Sequence, residues 1–208
     1  MQDAVLALEL STGHGSVAVA AGDEVLYEAS FEARRSHNAM VFEPLKEALL
    51  AAGSRLCGIV VGTGPGSYTG VRIAISAAQG VALSRCVPVI GMSSFFGCVD
   101  DPDFGVVGDA RRGRFFVAQV RGGELQSDIA LVQPEALESE MAAAGLERWI
   151  SCGESALVAG IEAKRPLARR LALKANGMLQ GALSDLALAL EPIYLEGAFI
   201  TQPRKRAV

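Results

Sequence analysis

Apolar and polar positions divide the chain into short, distinct stretches. Val5–Leu10 is an apolar run, Ser11-Thr12-Gly13-His14-Gly15 interrupts it, and Ser16–Ala21 is a second run. Gly22-Asp23 marks a tight turn into Glu24–Phe31, so the opening predicts three strands joined by two hairpins. The period then lengthens over 38–52, where Phe42, Leu45 and Leu49 share one side of a helix that Gly53 would stop. Pro44 either belongs to its first turn or kinks it. Cys57–Gly62 reads as a buried strand, 70–84 as a helix, Pro88–Gly91 as a short strand and Ser93–Val99 as a further helix. Three strands followed by helices alternating with strands predict an α/β fold: a mixed sheet with helices packed on it.

Asp100-Asp101-Pro102-Asp103 breaks the hydrophobic pattern and is taken as a boundary between units 1–100 and 101–208. Strands at Gly105–Asp109 and Arg114–Val120 flank Ala110–Gly113, and Gly122-Gly123 turns the chain again. Pro134–Ala144 is predicted helical and Trp149–Cys152 extended. Leu167–Leu190 reads as a helix that ends before Pro192 and is free to pack back on the first unit.

Half of the 208 residues are hydrophobic and the net charge is −4. That balance suits a soluble domain or two with a sizeable core, and it argues against binding nucleic acid alone through a broad basic surface. Met1-Gln2-Asp3 is not a basic leader, and no apolar run nears the roughly 20 residues of a membrane span, so a cytoplasmic protein with no membrane contact is expected. Cys57, Cys86, Cys98 and Cys152 form no CxxC pair and are expected as reduced structural thiols. His14 and His37 cannot make a metal-binding HExxH helix.

The stretch GTGPGSYTG (62–70), between a strand and a helix, is where a phosphate loop would stand. It carries no lysine, no P-loop spacing and only the start of a GxGxxG pattern. Helix-start amides could still meet an anion. Arg72, in the first turn, would be either a phosphate or partner contact or an internal ion pair. Ser67 and Thr69 read first as turn and cap residues and second as ligand contacts. Beyond Arg72 the helix is apolar or small on every side, so its second face is covered either inside the chain or by another protein. The small residues Gly70, Ala74, Ala77, Ala78 and Ala82 would admit a second helix closely.

GPGSYTGVRI (64–73) resembles the signature of the TsaB (YeaZ) family of bacterial tRNA-modification proteins. The opening LALELST, RRSHNAMVFEPLKEALL (34–50), VIGMSS (89–94), DARRGRFFVA (109–118) and PIYLEG (192–197) follow in the family's order. The resemblance implies an actin-like, sugar-kinase and Hsp70 ATPase-type (ribonuclease H-like) fold of two small lobes. It implies a non-catalytic subunit that pairs with the transferase TsaD, acts with the ATPase TsaE, and supports threonylcarbamoyladenosine formation in ANN-decoding tRNAs. No cofactor of its own is implied, and a nucleotide enters only at the boundary of the complex.

On the same footing, Glu9, Ser11, Gly64, Gly66, Ser67, Thr69 and Gly70 are the remnant of a nucleotide loop. Phe42, Leu45, Leu49, Val71, Arg72, Ala74, Ile75 and Ala78 are the partner interface. Two positions depart from the family: Glu9-Leu10-Ser11 stands where Asp-Thr-Ser is usual, and Glu196 where an arginine is expected.

Three function classes follow: a docking subunit, an independent nucleotide-dependent kinase or ATPase, and a metalloprotease, which two isolated histidines oppose. Arg111, Arg112 and Arg114 form either a charged turn with Asp109 or a contact for RNA or partner. His37 reads as a capping or interface residue, His14 as solvent-facing, and Arg204-Lys205-Arg206 as a solvated tail. Without a partner, such a chain is expected to homodimerise.

Overall fold

The computed structural model describes residues 2–32, 40–126, 129–179 and 190–195. Strands β1 (Ala4–Glu9), β2 (His14–Ala21) and β3 (Glu24–Glu32) form the two antiparallel hairpins read from the opening pattern. Helix α1 (Phe42–Ala52) leads to β4 (Leu56–Gly62), helix α2 (Tyr68–Arg85) and β5 (Val89–Met92). β4 and β5 add in parallel, giving the order β3-β2-β1-β4-β5. Pro44 lies in the first turn of α1, where its missing N–H has no intrahelical acceptor to lose.

A second sheet holds β6 (Phe104–Arg111), β7 (Arg114–Arg121), β8 (Glu124–Leu125), β9 (Ala130–Val132), β10 (Trp149–Cys152) and β11 (Glu162–Lys164). Its order is β11-β10-β6-β7-β8, with β9 also paired to β7. The β6–β7 and β7–β8 pairs are antiparallel, whereas β10 and β11 run parallel to their neighbours. Reversed, this order repeats that of the first sheet, so the two halves share one topology without a visible sequence repeat.

Helices α1 and α2 cover one face of the first sheet around Leu6, Leu8, Val17, Val19 and Ile59. Helix α3 (Leu137–Ala144), entered through a 3-10 turn at Pro134–Ala136, lies against β7. Helix α4 (Ala168–Leu179) crosses back to the other face of the first sheet, and its Leu171, Ala172 and Ala175 pack on Val5, Ala7 and Val60. The Ala168 amide donates to Ser16 Oγ at 2.9 Å, joining chain segments far apart in sequence.

Two expectations change. Ser93–Val99 is not a helix: Ser93 caps only a 3-10 turn, Ser94–Gly97. His14 does not face solvent freely, because its Nδ1 lies 2.9 Å from Glu154 Oε1 and its Nε2 3.8 Å from Glu32. The expectations for His37, Glu196, residues 180–189 and Arg204-Lys205-Arg206 lie outside the described residues.

Candidate functional site

Glu9, at the end of β1, is completely buried. Its Oε1 accepts from the Ser11 amide at 2.6 Å, while Oε2 and the Ser11 hydroxyl have no hydrogen-bond partner among the described residues. Burial pushes the carboxyl above its ordinary range, against a downward pull from Ser11 and Ser94. A Cβ on Gly62 would fall 1.8 Å from Glu9 Oε2, so the larger acid and the missing side chain fit one another.

The glycine loop is closed on this hairpin. The Ser67 amide donates to Ser11 O at 2.6 Å and the Gly64 amide to Ser94 Oγ at 3.0 Å. Ser67 caps α2 by accepting from the Gly70 amide at 3.2 Å. Cβ atoms on Gly66 and Gly70 would stand 2.1 Å from Ser11 O and 2.0 Å from Leu10 O. The glycines therefore permit backbone to meet backbone. The Gly64, Ser67 and Gly70 amides are thus engaged within the chain. Ile193 N donates to Thr63 O at 2.8 Å and ties the late PIYL segment to the same turn.

In front of the loop, a cleft of about 660 Å³ opens between the two sheets. Ser11, Gly66, Ser67 and Thr69 line one side, with Arg111 and Arg112 also on its wall. Both arginines have positive φ (70° and 56°) in the β6–β7 hairpin, and the Arg111 amide is held by Asp109 Oδ1 at 2.7 Å. Glu9, Gly64 and Gly70 sit behind this surface, and Arg114 lies in β7 away from the cleft lining. Among the described residues, no group of three or more His, Cys, Asp or Glu side chains could hold a metal.

A second concavity, about 900 Å³, runs along the outer side of α1 and α2. Phe42 and Leu45 line it from α1, and Tyr68, Arg72, Ile73 and Gly80 from α2. Phe42 is 59% exposed and Tyr68 57%. Arg72 lies over the Tyr68 ring, its charge 5.1 Å from the centroid, and donates to the Tyr68 hydroxyl. Tyr68 also packs on Tyr194, centroids 5.5 Å apart.

The residues expected at a partner interface divide between two faces. Phe42 and Arg72 point outward, Leu45 is buried at the groove floor, and Leu49 is partly buried against the core. Val71, Ala74, Ile75 and Ala78 are a correction: they are buried against the chain's own first sheet, so they are not available to a second protein. The outward stripe instead runs through Tyr68, Arg72, Ser76 and Gly80. Their spacing of four residues was the available signal, blurred because Ser76 and Gly80 are small enough to pass as interior positions.

The family described as "TsaD: tRNA N6-adenosine threonylcarbamoyltransferase" matches residues 30–148, more than half of the chain. The tRNA threonylcarbamoyladenosine biosynthesis protein TsaB of Escherichia coli is 37% identical over 94 residues, 43% of this chain and 40% of that one. The Bacillus subtilis protein of the same name is 32% identical over 137 residues, 59% of this chain and 58% of that one. The chain thus spans 40% to 58% of the length of these two curated relatives. Among solved structures, YeaZ of Pseudomonas aeruginosa superposes with a TM-score of 0.69 at 23% identity. An uncharacterized Pseudomonas aeruginosa protein described as similar to the peptidase YEAZ gives 0.72 at 25%. Both alignments cover 93% of this chain and 100% of the other. Together with the repeated mixed-sheet topology, they establish the actin-like (ribonuclease H-like) two-lobe fold.

Proposed function

Since the chain belongs to the TsaB (YeaZ) family, we propose that it is a docking subunit in threonylcarbamoyladenosine formation on ANN-decoding tRNAs. It binds a TsaD-like partner through the outer groove of α1 and α2 and performs no chemistry itself. A TsaE-like ATPase and tRNA meet it through that complex, in the cytoplasm. It needs no cofactor of its own, and a nucleotide enters only at the boundary with the partner. Alone, it pairs with a second copy through the same face. The division into a partner-binding unit, 1–100, and a second unit, 101–208, belongs to this reading.

The carrying observation is the half-exposed aromatic groove beside a glycine turn whose Gly64, Ser67 and Gly70 amides are engaged within the chain. An exposed apolar concavity with an aromatic and arginine rim has the composition of an interface centre. Arg111 and Arg112, on the cleft wall, are where RNA or partner would touch the second unit.

Gly80→Arg tests the docking face. Gly80 is exposed, a Cβ there meets nothing within 4 Å, and arginine favours a helix over glycine. The monomer should stay folded while co-purification with the TsaD-like partner falls at least tenfold and threonylcarbamoyladenosine is lost from tRNA. Undiminished binding by this variant would place the interface elsewhere. ATP turnover by the isolated chain would favour the kinase or ATPase reading instead.

A further inference from the structure

The fold brings together two cysteines that docking does not use. Cys98 follows the Ser94–Gly97 turn and is fully buried, with its Sγ 3.5 Å from Sγ of Cys152, 54 residues further along. Cys98 Sγ also lies 3.8 Å from Ser94 O and 3.7 Å from Lys164 O. Cys152 closes β10, is partly exposed, and lines the cleft between the sheets beside Gly153 and Glu154. One sulfur of the pair is therefore reachable from solution, and the other waits directly behind it.

This is the arrangement of an attacking and a resolving thiol. A disulfide needs its sulfurs about 2.0 Å apart, so they must close by about 1.5 Å from their present contact. We propose that Cys98 and Cys152 form a reversible disulfide by exchange with a low-molecular-weight disulfide that enters the cleft. The Cys152 thiolate attacks one sulfur of the incoming disulfide, forms a mixed disulfide and expels the first small thiolate. The Cys98 thiolate then attacks the Cys152 sulfur, forms the internal bond and expels the second small thiolate. The two cysteine protons end on the two small thiols. The cysteines lose two electrons and the small disulfide gains them.

The hydrogen bond with Cys152 and burial hold the Cys98 thiol well above its usual range, consistent with the first attack falling to Cys152. The product would fasten the connection between the two sheets to the end of β10. From there Cys152-Gly153-Glu154 continues along the cleft wall to the contact with His14. Oxidation thus stiffens the cleft wall, a regulation independent of the docking groove.

The test exposes the full chain to glutathione disulfide, blocks free thiols with N-ethylmaleimide, and maps non-reduced peptides by mass spectrometry. The expected result is a Cys98–Cys152 linked peptide in most molecules, a mass loss of two hydrogens, and reversal by dithiothreitol. The thermal midpoint should rise on the order of 10 °C, because the bond closes a long loop. Cys98→Ala should stop at glutathione on Cys152, and Cys152→Ser should give no linked peptide. Glutathione that stays on Cys152 of the unmutated chain, or a Cys152 that never reacts while exposed Cys86 does, would overturn the proposal. Mapping the unmutated chain decides this even where a variant fails to fold.

Discussion

A buried carboxyl with an unpartnered oxygen opposes folding more strongly when it is ionised, which gives Glu9 a definite pH signature. Its carboxyl in the folded chain lies above the ordinary value of 4.5, with burial the main cause. Well below pH 4.5 both folded and unfolded chains carry it protonated, and it adds nothing to the pH dependence of stability. As pH rises past 4.5 the unfolded chain ionises first, and stability falls until the folded carboxyl ionises too. Glu9→Gln keeps an acceptor for the Ser11 amide and abolishes the charge. Urea unfolding should therefore find the Gln chain gaining stability relative to the parent as pH rises from 4 to 8. A Gln chain that loses stability relative to the parent over that range would show that the ionised carboxylate is the form the fold uses. The departure at Glu9 was legible in the sequence. Its complement at Gly62 was not, because only the β1–β4 pairing brings the two positions together.

At the scale of elements, α2 shows how much of the site the hydrophobic pattern carried. The helix, its Ser67 cap and its position after a buried strand were legible, since capping chemistry and an unbroken apolar run are local signals. Its facing was not. Gly70, Val71, Ala74, Ile75, Ala78, Val81 and Ala82 turn inward, while Arg72, Ser76, Gln79, Gly80 and Leu83 turn outward. Small residues on both sides leave little contrast for a 3.6-residue period to reveal. The outcome for a charge on either side follows from that division. Ala78 is completely buried among Leu8, Ile59 and Ala74, so Ala78→Arg should cost more than about 3 kcal/mol or leave the chain unfolded in thermal circular dichroism. Gly80→Arg, two residues away on the open side, should melt within a few degrees of the parent. If Ala78→Arg also melted normally, α2 would be rotated relative to the facing described above.

At the scale of the molecule, the order of elements was readable along the chain, but their assembly into two sheets of the same topology was not. Short pieces such as Glu124–Leu125 and Glu162–Lys164 are strands only because a neighbour pairs with them. The cleft is likewise invisible in one dimension, drawing on Ser11, Ser67, Arg111, Cys152 and Tyr194 from five separate segments. Helix α4 is the strongest case of such long-range construction. It starts after the second sheet is complete, yet Leu171 is fully buried against the first sheet. The Arg170 guanidinium also donates to Cys98 O at 2.8 Å and lies 3.1 Å from an Asp100 carboxylate oxygen, holding the helix to the connection between the sheets. Removing the Leu171 side chain should therefore weaken the first sheet although no residue of that sheet is changed. Leu171→Ala should lower global stability by about 2–5 kcal/mol, and hydrogen exchange should accelerate at the amides of β1 and β4. Were α4 an appendage of the second half alone, β1 and β4 would keep their protection and the loss would appear only from β6 onward. Protection lost from both sheets together would instead identify α4 as the element that makes the two halves one cooperative unit.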